Sequence, residues 1–188
     1  SFPTVYAESK FRSEREVWRG FAEGLNGLIV NPAVIIGPGH WDKGAGALFK
    51  QVYKGMPFYP EGGNAYVDAR DVVECLFKLR DTPESYQNRF VLVGETLPMK
   101  TMMTWIAQGF GVKPPRYKAN LPMSLSVAYL EGFKSFFTGK PPRITPDLAR
   151  MGTKTYYYDT SKLRNYIQHE FRSIHDAVKA TCEFILKH

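Results

Sequence analysis

Between Pro3 and Gly24 apolar side chains recur at intervals of three to seven, with Phe11, Trp18, Ala22 and Leu25 on one stripe and Glu14, Arg15 and Glu23 on the other faces. That spacing predicts a first helix, ended by Gly24 and Gly27. GLIVNPAVIIGPG follows at 27–39, a β-branched run punctuated by Pro32 and closed by Gly37-Pro38-Gly39. It predicts a strand buried on both faces and leading into a loop, and a helix feeding such a strand is the α/β arrangement. A short helix is expected over 43–55, a turn over 60–64 and a second extended piece from Tyr66-Val67. Then comes a helix whose stripe is Val72, Cys75, Leu76 and Leu79, with Asp71 placed as its N-cap rather than as a catalytic group. The pattern continues with a strand over 89–93, a helix over 100–109 and a strongly apolar helix over 121–138. The last is set off by Pro114, Pro115, Pro122, Pro141 and Pro142, as a lobe or lid would be. Tyr156–Tyr158 reads as extended, and apolar residues at 174, 177, 178, 182 and 185 predict a closing helix.

Composition narrows this picture. With 44% apolar residues in a chain of 188, one packed domain with a lobe is expected. The longest apolar run is interrupted by Asn31 and Pro32 and falls short of the ~20 residues a bilayer helix needs, so no membrane is counted among the partners. No leader opens the chain and no Met precedes Ser1, which favours a piece cut from a longer protein. Cys75 and Cys182 stand 107 positions apart among apolar residues, the pattern of buried thiols in a reducing, cytoplasmic setting rather than of a zinc site or disulfide scaffold; no metal site is expected. The net charge is +7, and residues 100–154 carry all of it, with nine bases against two acids. These bases are scattered among Pro, Gly and aromatic residues without a nucleic-acid-binding motif, so a solvated surface is favoured over a nucleic-acid face.

The candidate chemistry is YxxxK at Tyr6 and Lys10, which sets both side chains on one helix face a turn apart. An ammonium beside a phenol favours phenolate and brings such a group toward exchanging a proton with a substrate hydroxyl or carbonyl. The spacing alone is weak, because 11 tyrosines supply about one YxxxK by chance, and Tyr158 with Lys162 makes a second. Context separates them: Tyr6-Ala-Glu-Ser-Lys10 opens a helix that runs into a buried strand, where α/β sites gather.

YAESK, then Asn31-Pro32 and Gly37-Pro38-Gly39, then YVDARDVV at 66–73, in that order, resemble the C-terminal half of the extended short-chain dehydrogenase/reductases, in particular the NAD-dependent epimerase/dehydratase and dihydroflavonol-reductase-like branch. DTSKLRNYI at 159–167 resembles that family's closing segment more loosely. The resemblance implies an α/β fold, with the C-terminal part of a Rossmann-type parallel-sheet domain in 1–36 and 65–95 and a mostly helical substrate-binding lobe in 37–64 and 96–188. It implies Tyr6 as general acid/base and Lys10 as its activator and a ligand of the nicotinamide ribose. It further implies that the backbone at Pro32, Ala33 and Val34 meets the nicotinamide amide and that Phe58 and Tyr59 line the substrate. The cofactor would be NAD or NADP, held mainly by a preceding half that carries the glycine-rich turn and the catalytic Ser or Thr. Neither Gly44-Ala-Gly46 nor Gly62-Gly63 reads as a substitute for that turn. The substrate would be a sugar nucleotide or a dihydroflavonol-like ketone. The chain alone should then be inactive, and should pack against the preceding segment or a second copy. Two other readings stay open: a non-catalytic binding module of the same fold, and an anion or nucleic-acid binder using the basic 100–154 section, which salt would release from a phosphate matrix.

Overall fold

The computed structural model describes residues 5–139 and 145–187, with Phe136 described by its backbone alone. Pro3, Lys140, Pro141, Pro142 and Arg143, all used in the sequence reading, lie outside the described residues. The elements are α1 (Val5–Ala22), β1 (Ile29–Pro32), β2 (Val34–Ile36), α2 (Ala45–Tyr53), β3 (Phe58–Pro60), β4 (Gly63–Asp68), α3 (Ala69–Arg80), a 3-10 turn (Pro83–Ser85), β5 (Arg89–Leu92), β6 (Glu95–Pro98), α4 (Met99–Phe110), β7 (Tyr117–Ala119), α5 (Leu121–Thr138), α6 (Pro146–Met151), α7 (Ser161–Arg164) and α8 (Ile174–Lys187).

The single strand expected over 27–37 is divided. β1 pairs in parallel with β5, and β2 pairs in parallel with β4. The break falls where Pro32 has no amide to donate and the Ala33 amide donates to the Leu92 carbonyl at 2.9 Å. Burial on both faces is corrected too, since Val34 and Ile35 are 38% and 42% exposed. Among the described residues β1 and β2 each have a strand on one edge only, and a parallel strand is buried on both faces only when flanked and covered. β4 also pairs antiparallel with β6, while β3 pairs in parallel with β7.

β4 is the wall between two cores. Successive strand side chains point to opposite faces, so Tyr66 enters one core with Ile36, Phe49, Met102, Ile106, Ile174 and Cys182, and Val67 enters the other with Cys75, Leu79, Phe90, Leu92 and Leu163. The first core is built on α4 against α8, whose buried residues Met102, Met103, Ile106 and Phe110 face Ile174, Val178 and Cys182. Their close approach depends on Gly109: a Cβ there would lie 2.7 Å from the Cys182 sulfur. α4 ends as its Gly allows, at Gly111 in the left-handed region (φ 67°).

Asp71 is not the cap of α3. That role falls to Asp68, whose carboxylate accepts from the Arg70 amide at 2.7 Å, while Asp71 is fully buried one turn on. Both cysteines are buried as expected, and burial pushes the Cys75 thiol up to about 11 and the Cys182 thiol up to about 12.

Gly109→Ala should therefore cost about 1–3 kcal/mol through forced separation of α4 and α8, read as a lower thermal midpoint. An unchanged midpoint would contradict the contact. Both thiols should resist a thiol reagent in the native protein and react once it is unfolded.

Candidate active site

α1 is held to the sheet by one carboxylate. Glu14 accepts from Asn31 Nδ2 at 3.0 Å, from Arg89 Nη1 at 2.9 Å and from Trp18 Nε1 at 3.2 Å, and so ties the helix to β1 and β5 together. Burial works to raise its pKa, but the hydrogen bonds from Asn31, Trp18 and Arg89 and the Arg89 charge outweigh it and hold the carboxyl below its usual 4.5. The sequence reading set Glu14 on an outer face with Arg15 and Glu23; the structure turns it inward. The predicted apolar stripe is corrected in the same way. Phe11, Trp18 and Leu25 are exposed, and Phe21 is the buried residue of α1.

Tyr6, Lys10 and Glu14 are spaced i, i+4, i+8 and share one face. The helix runs antiparallel to β1, because Phe21 packs at Gly27, before the strand, while Glu14 reaches Asn31 near its end. Lys10 and Tyr6 therefore stand about 6 and 12 Å farther along the helix axis, beyond the carboxyl end of β1, where ligands of open α/β sheets bind. The Lys10 ammonium lies 5.6 Å from the centroid of the Tyr6 ring, and Tyr6 is 71% exposed. This phenol and amine are side by side and open to a ligand.

Pro32, Ala33 and Val34 form the β1–β2 break at that same end and are half-buried or exposed. Phe58 and Tyr59 lie on β3. The Phe58 ring meets Tyr117 at 5.8 Å, and Tyr59 packs on the first core beneath the Lys100 ammonium, 5.5 Å from its ring. Among the described residues no hydrogen bond or ring contact joins Phe58 or Tyr59 to Tyr6 or Lys10. Of the glycines screened as phosphate cradles, three are filled by the chain itself: a Cβ on Gly46 would sit 2.1 Å from the His40 carbonyl, and Cβ atoms on Gly62 and Gly63 would strike the backbones of Lys154 and Leu97, whereas Gly44, at φ 55°, has open space beside it.

Asp71, Glu74 and His169 bring ligand-type atoms within 4.8 Å of one another. Arg172 already occupies them. Its guanidinium binds Asp71 and reaches Glu74 at 2.5 Å, its amide donates to Asp71 at 2.9 Å, and His169 Nε2 lies 3.2 Å from Asp71. With both carboxylates engaged by a cation, the group is an ion-pair clamp from α3 to the segment before α8. Among the basic residues of 100–154, Lys118 is paired with Glu61 and Arg150 with Asp147.

No protein-family model matches the chain. A dihydroflavonol 4-reductase-like protein of Synechocystis is 26% identical over 165 residues, 84% of this chain and 48% of that protein. The solved structure of gox2253 has a TM-score of 0.79 at 26% identity, covering 98% of this chain and 57% of that one. A nucleoside-diphosphate-sugar epimerase from Pseudomonas aeruginosa has a TM-score of 0.76 at 18% identity, covering 98% and 56%. Other solved neighbours of this fold carry NADPH, or NAD with UDP-glucuronic acid. The parallel strands and their helices thus place the protein in the Rossmann-type α/β class. Within that class it is similar to the dihydroflavonol 4-reductase-like protein and to epimerase structures over about half of their length, and it spans about half the length of the curated relatives it matches.

Glu14→Gln should loosen α1 by about 1–2 kcal/mol, the worth of charge-assisted bonds exchanged for neutral ones. Because the folded-state pKa is depressed, the stabilisation is complete above pH 4.5 and is lost as pH falls through the lower folded-state value. Amide-exchange protection of residues 11–22 should fall over that interval in the wild type and be low throughout in the variant. Equal protection in both would contradict the anchor.

Proposed function

We propose that the protein is the catalytic portion of a nicotinamide-dependent oxidoreductase or epimerase that acts at a carbonyl or hydroxyl carbon, with Tyr6 as its acid/base. The carrying observation is the Tyr6–Lys10 pair, exposed beyond the carboxyl end of β1 on the helix face that Glu14 anchors. In the reducing direction the Tyr6 hydroxyl gives its proton to the carbonyl oxygen as that oxygen becomes a hydroxyl; in the oxidising direction it takes the proton back. Lys10 sets a positive charge beside the phenol where negative charge develops as the proton leaves.

NAD or NADP, when bound, supplies the hydride acceptor or donor. The residues present suit its nicotinamide end. Lys10 would hold the ribose, and the backbone of Pro32, Ala33 and Val34, open at the strand break, would meet the carboxamide. Gly46, Gly62 and Gly63 offer the pyrophosphate end no cradle, because a Cβ on each would strike backbone, and the phosphates are proposed to be held by the preceding half of a longer protein. Phe58, half-exposed beside Tyr117, would form one wall for the substrate with Tyr59 beneath it, an aromatic surface suited to a sugar-nucleotide ring or a dihydroflavonol-like ketone. The Synechocystis relative's name and the Pseudomonas epimerase support this reaction class.

In the complete protein Tyr6→Phe should lower kcat by about 10²–10⁴-fold and leave nicotinamide affinity nearly unchanged. Turnover equal to wild type would end the assignment. Ligand binding without turnover by the wild type would favour the non-catalytic module.

A further inference from the structure

α2 and α4 pack on one another in the first core and both end in a left-handed glycine, Gly55 at φ 79° and Gly111 at φ 67°. Each turn then leads toward a strand. The two turns are locked together where β3 and β7 begin their parallel pairing, because the Pro57 carbonyl accepts from both the Arg116 and the Tyr117 amides at 3.0 Å. Between them lies an open groove of about 710 Å³, within the range of about 300–1,000 Å³ that small-molecule sites occupy. A Cβ on Gly55 or Gly111 would meet nothing within 4 Å.

The lining joins rings to positive charge. Met56 and Val112, half-buried against the first core, make it apolar within. Tyr53 and Tyr117 flank them, each held from one side, Tyr53 edge to face on Phe110 at 5.2 Å and Tyr117 on Phe58 at 5.8 Å. Both phenols remain open, Tyr53 at 46% and Tyr117 at 61% exposure. Lys54, Lys113 and Arg116 complete the lining, and no acidic residue belongs to it. Among the described residues no ion pair or side-chain hydrogen bond engages Lys113 or Arg116. Lys54 acts at longer range on Asp42, whose carboxyl is held below its usual range chiefly by its hydrogen bond from Lys50. The carbonyl ends of the two helices do not use up this charge. They are met by backbone amides, Met56 donating to Gln51 at 3.2 Å, Gly55 to Val52 at 2.9 Å and Val112 to Ala107 at 2.9 Å. A helix end also acts only within its last turn, and Arg116 stands six residues past the end of α4.

Cations without a carboxylate among them suit an anion, and a guanidinium fork matches a phosphate in particular. An open phenol face suits a planar base. We propose that this groove binds a nucleoside phosphate, its base against Tyr117 and its phosphate held by Lys113 and Arg116. The anion-binding reading of the basic 100–154 section thereby gains a location. The site is independent of the chemistry proposed at Tyr6: none of the residues assigned to that chemistry lines the groove, which opens at the amino ends of β3 and β7, whereas ligands of open α/β sheets bind at carboxyl ends.

Lysine footprinting of the complete protein with acetic anhydride tests the proposal, using AMP as the probe. AMP should slow acylation of Lys113 saturably, about ten-fold at ten times the half-protecting concentration, and leave Lys179, exposed on α8, unchanged. Adenosine should give no protection, and inorganic phosphate should require about ten-fold more than AMP. Arg116→Glu should raise the half-protecting AMP concentration about ten-fold or more, and Tyr117→Ala about five-fold or more. Lys179→Glu, with the same change of charge, should not move it. Circular dichroism of each variant reports its fold. A Lys113 that reacts equally fast with and without millimolar AMP in the wild type overturns the proposal. So does protection that Arg116→Glu and Tyr117→Ala leave intact, or that adenosine or inorganic phosphate gives as well as AMP.

Discussion

The three hydrogen bonds received by Glu14 fix where Tyr6 and Lys10 stand. α1 buries one side chain, Phe21, near its C-terminal end, so hydrophobic packing alone sets neither the rotation of the helix nor its position along the sheet. A carboxylate bound at once to Asn31 on β1 and Arg89 on β5 sets both. Because Lys10 and Tyr6 follow at one-turn intervals on the same face, the rotation that satisfies Glu14 carries the phenol and the amine past the end of β1. Ionised hydrogen-bond partners are worth about twice neutral ones, enough to hold an otherwise exposed helix.

Behind that helix, β4 does two jobs with neighbouring residues. Tyr66 and Val67 anchor separate cores on its two faces, while its ladder carries β2 on one edge and β6 on the other. The Arg172 clamp on Asp71 and Glu74 then fixes the C-terminal segment, so that α8 meets α4 with the Gly109–Cys182 approach intact. The Pro32–Val34 break sits where β1 and β2 leave one ladder for another, which opens backbone at the end of the sheet nearest Tyr6.

Helices were legible in the sequence where a stripe and a stop agree. α4, α5 and α8 fall within about a residue of their predicted limits, since Gly111 and Gly139 stop the first two and all three carry unbroken apolar patterns. Which face is buried was not legible. α1 and α5 both turn large apolar residues outward, and periodicity reports a stripe without saying what covers it. The three- and four-residue strands β3, β6 and β7 are too short to show alternation, and the β1–β2 break depends on a bond from Ala33 to Leu92, 59 positions away in the sequence. At the site, the Tyr6–Lys10 neighbourhood follows from the 3.6-residue period alone. The Glu14 anchor does not, because its partners lie 17 and 75 residues downstream; the i, i+4, i+8 spacing of Tyr6, Lys10 and Glu14 was the signal that could have found it. Asp71 reads as a cap in sequence and turns out to belong to Arg172, for the same reason of distance.

If a proton passes through the phenol on α1, the rate of hydride transfer must register its ionisation. The most direct measurement is the pH dependence of single-turnover hydride transfer in the complete protein, compared between wild type and Tyr6→Phe. The wild type should show a titrating limb that is absent from the variant's slower, flat profile. The same limb in both would mean that another group moves the proton and that the pair beside β1 is not the reacting centre.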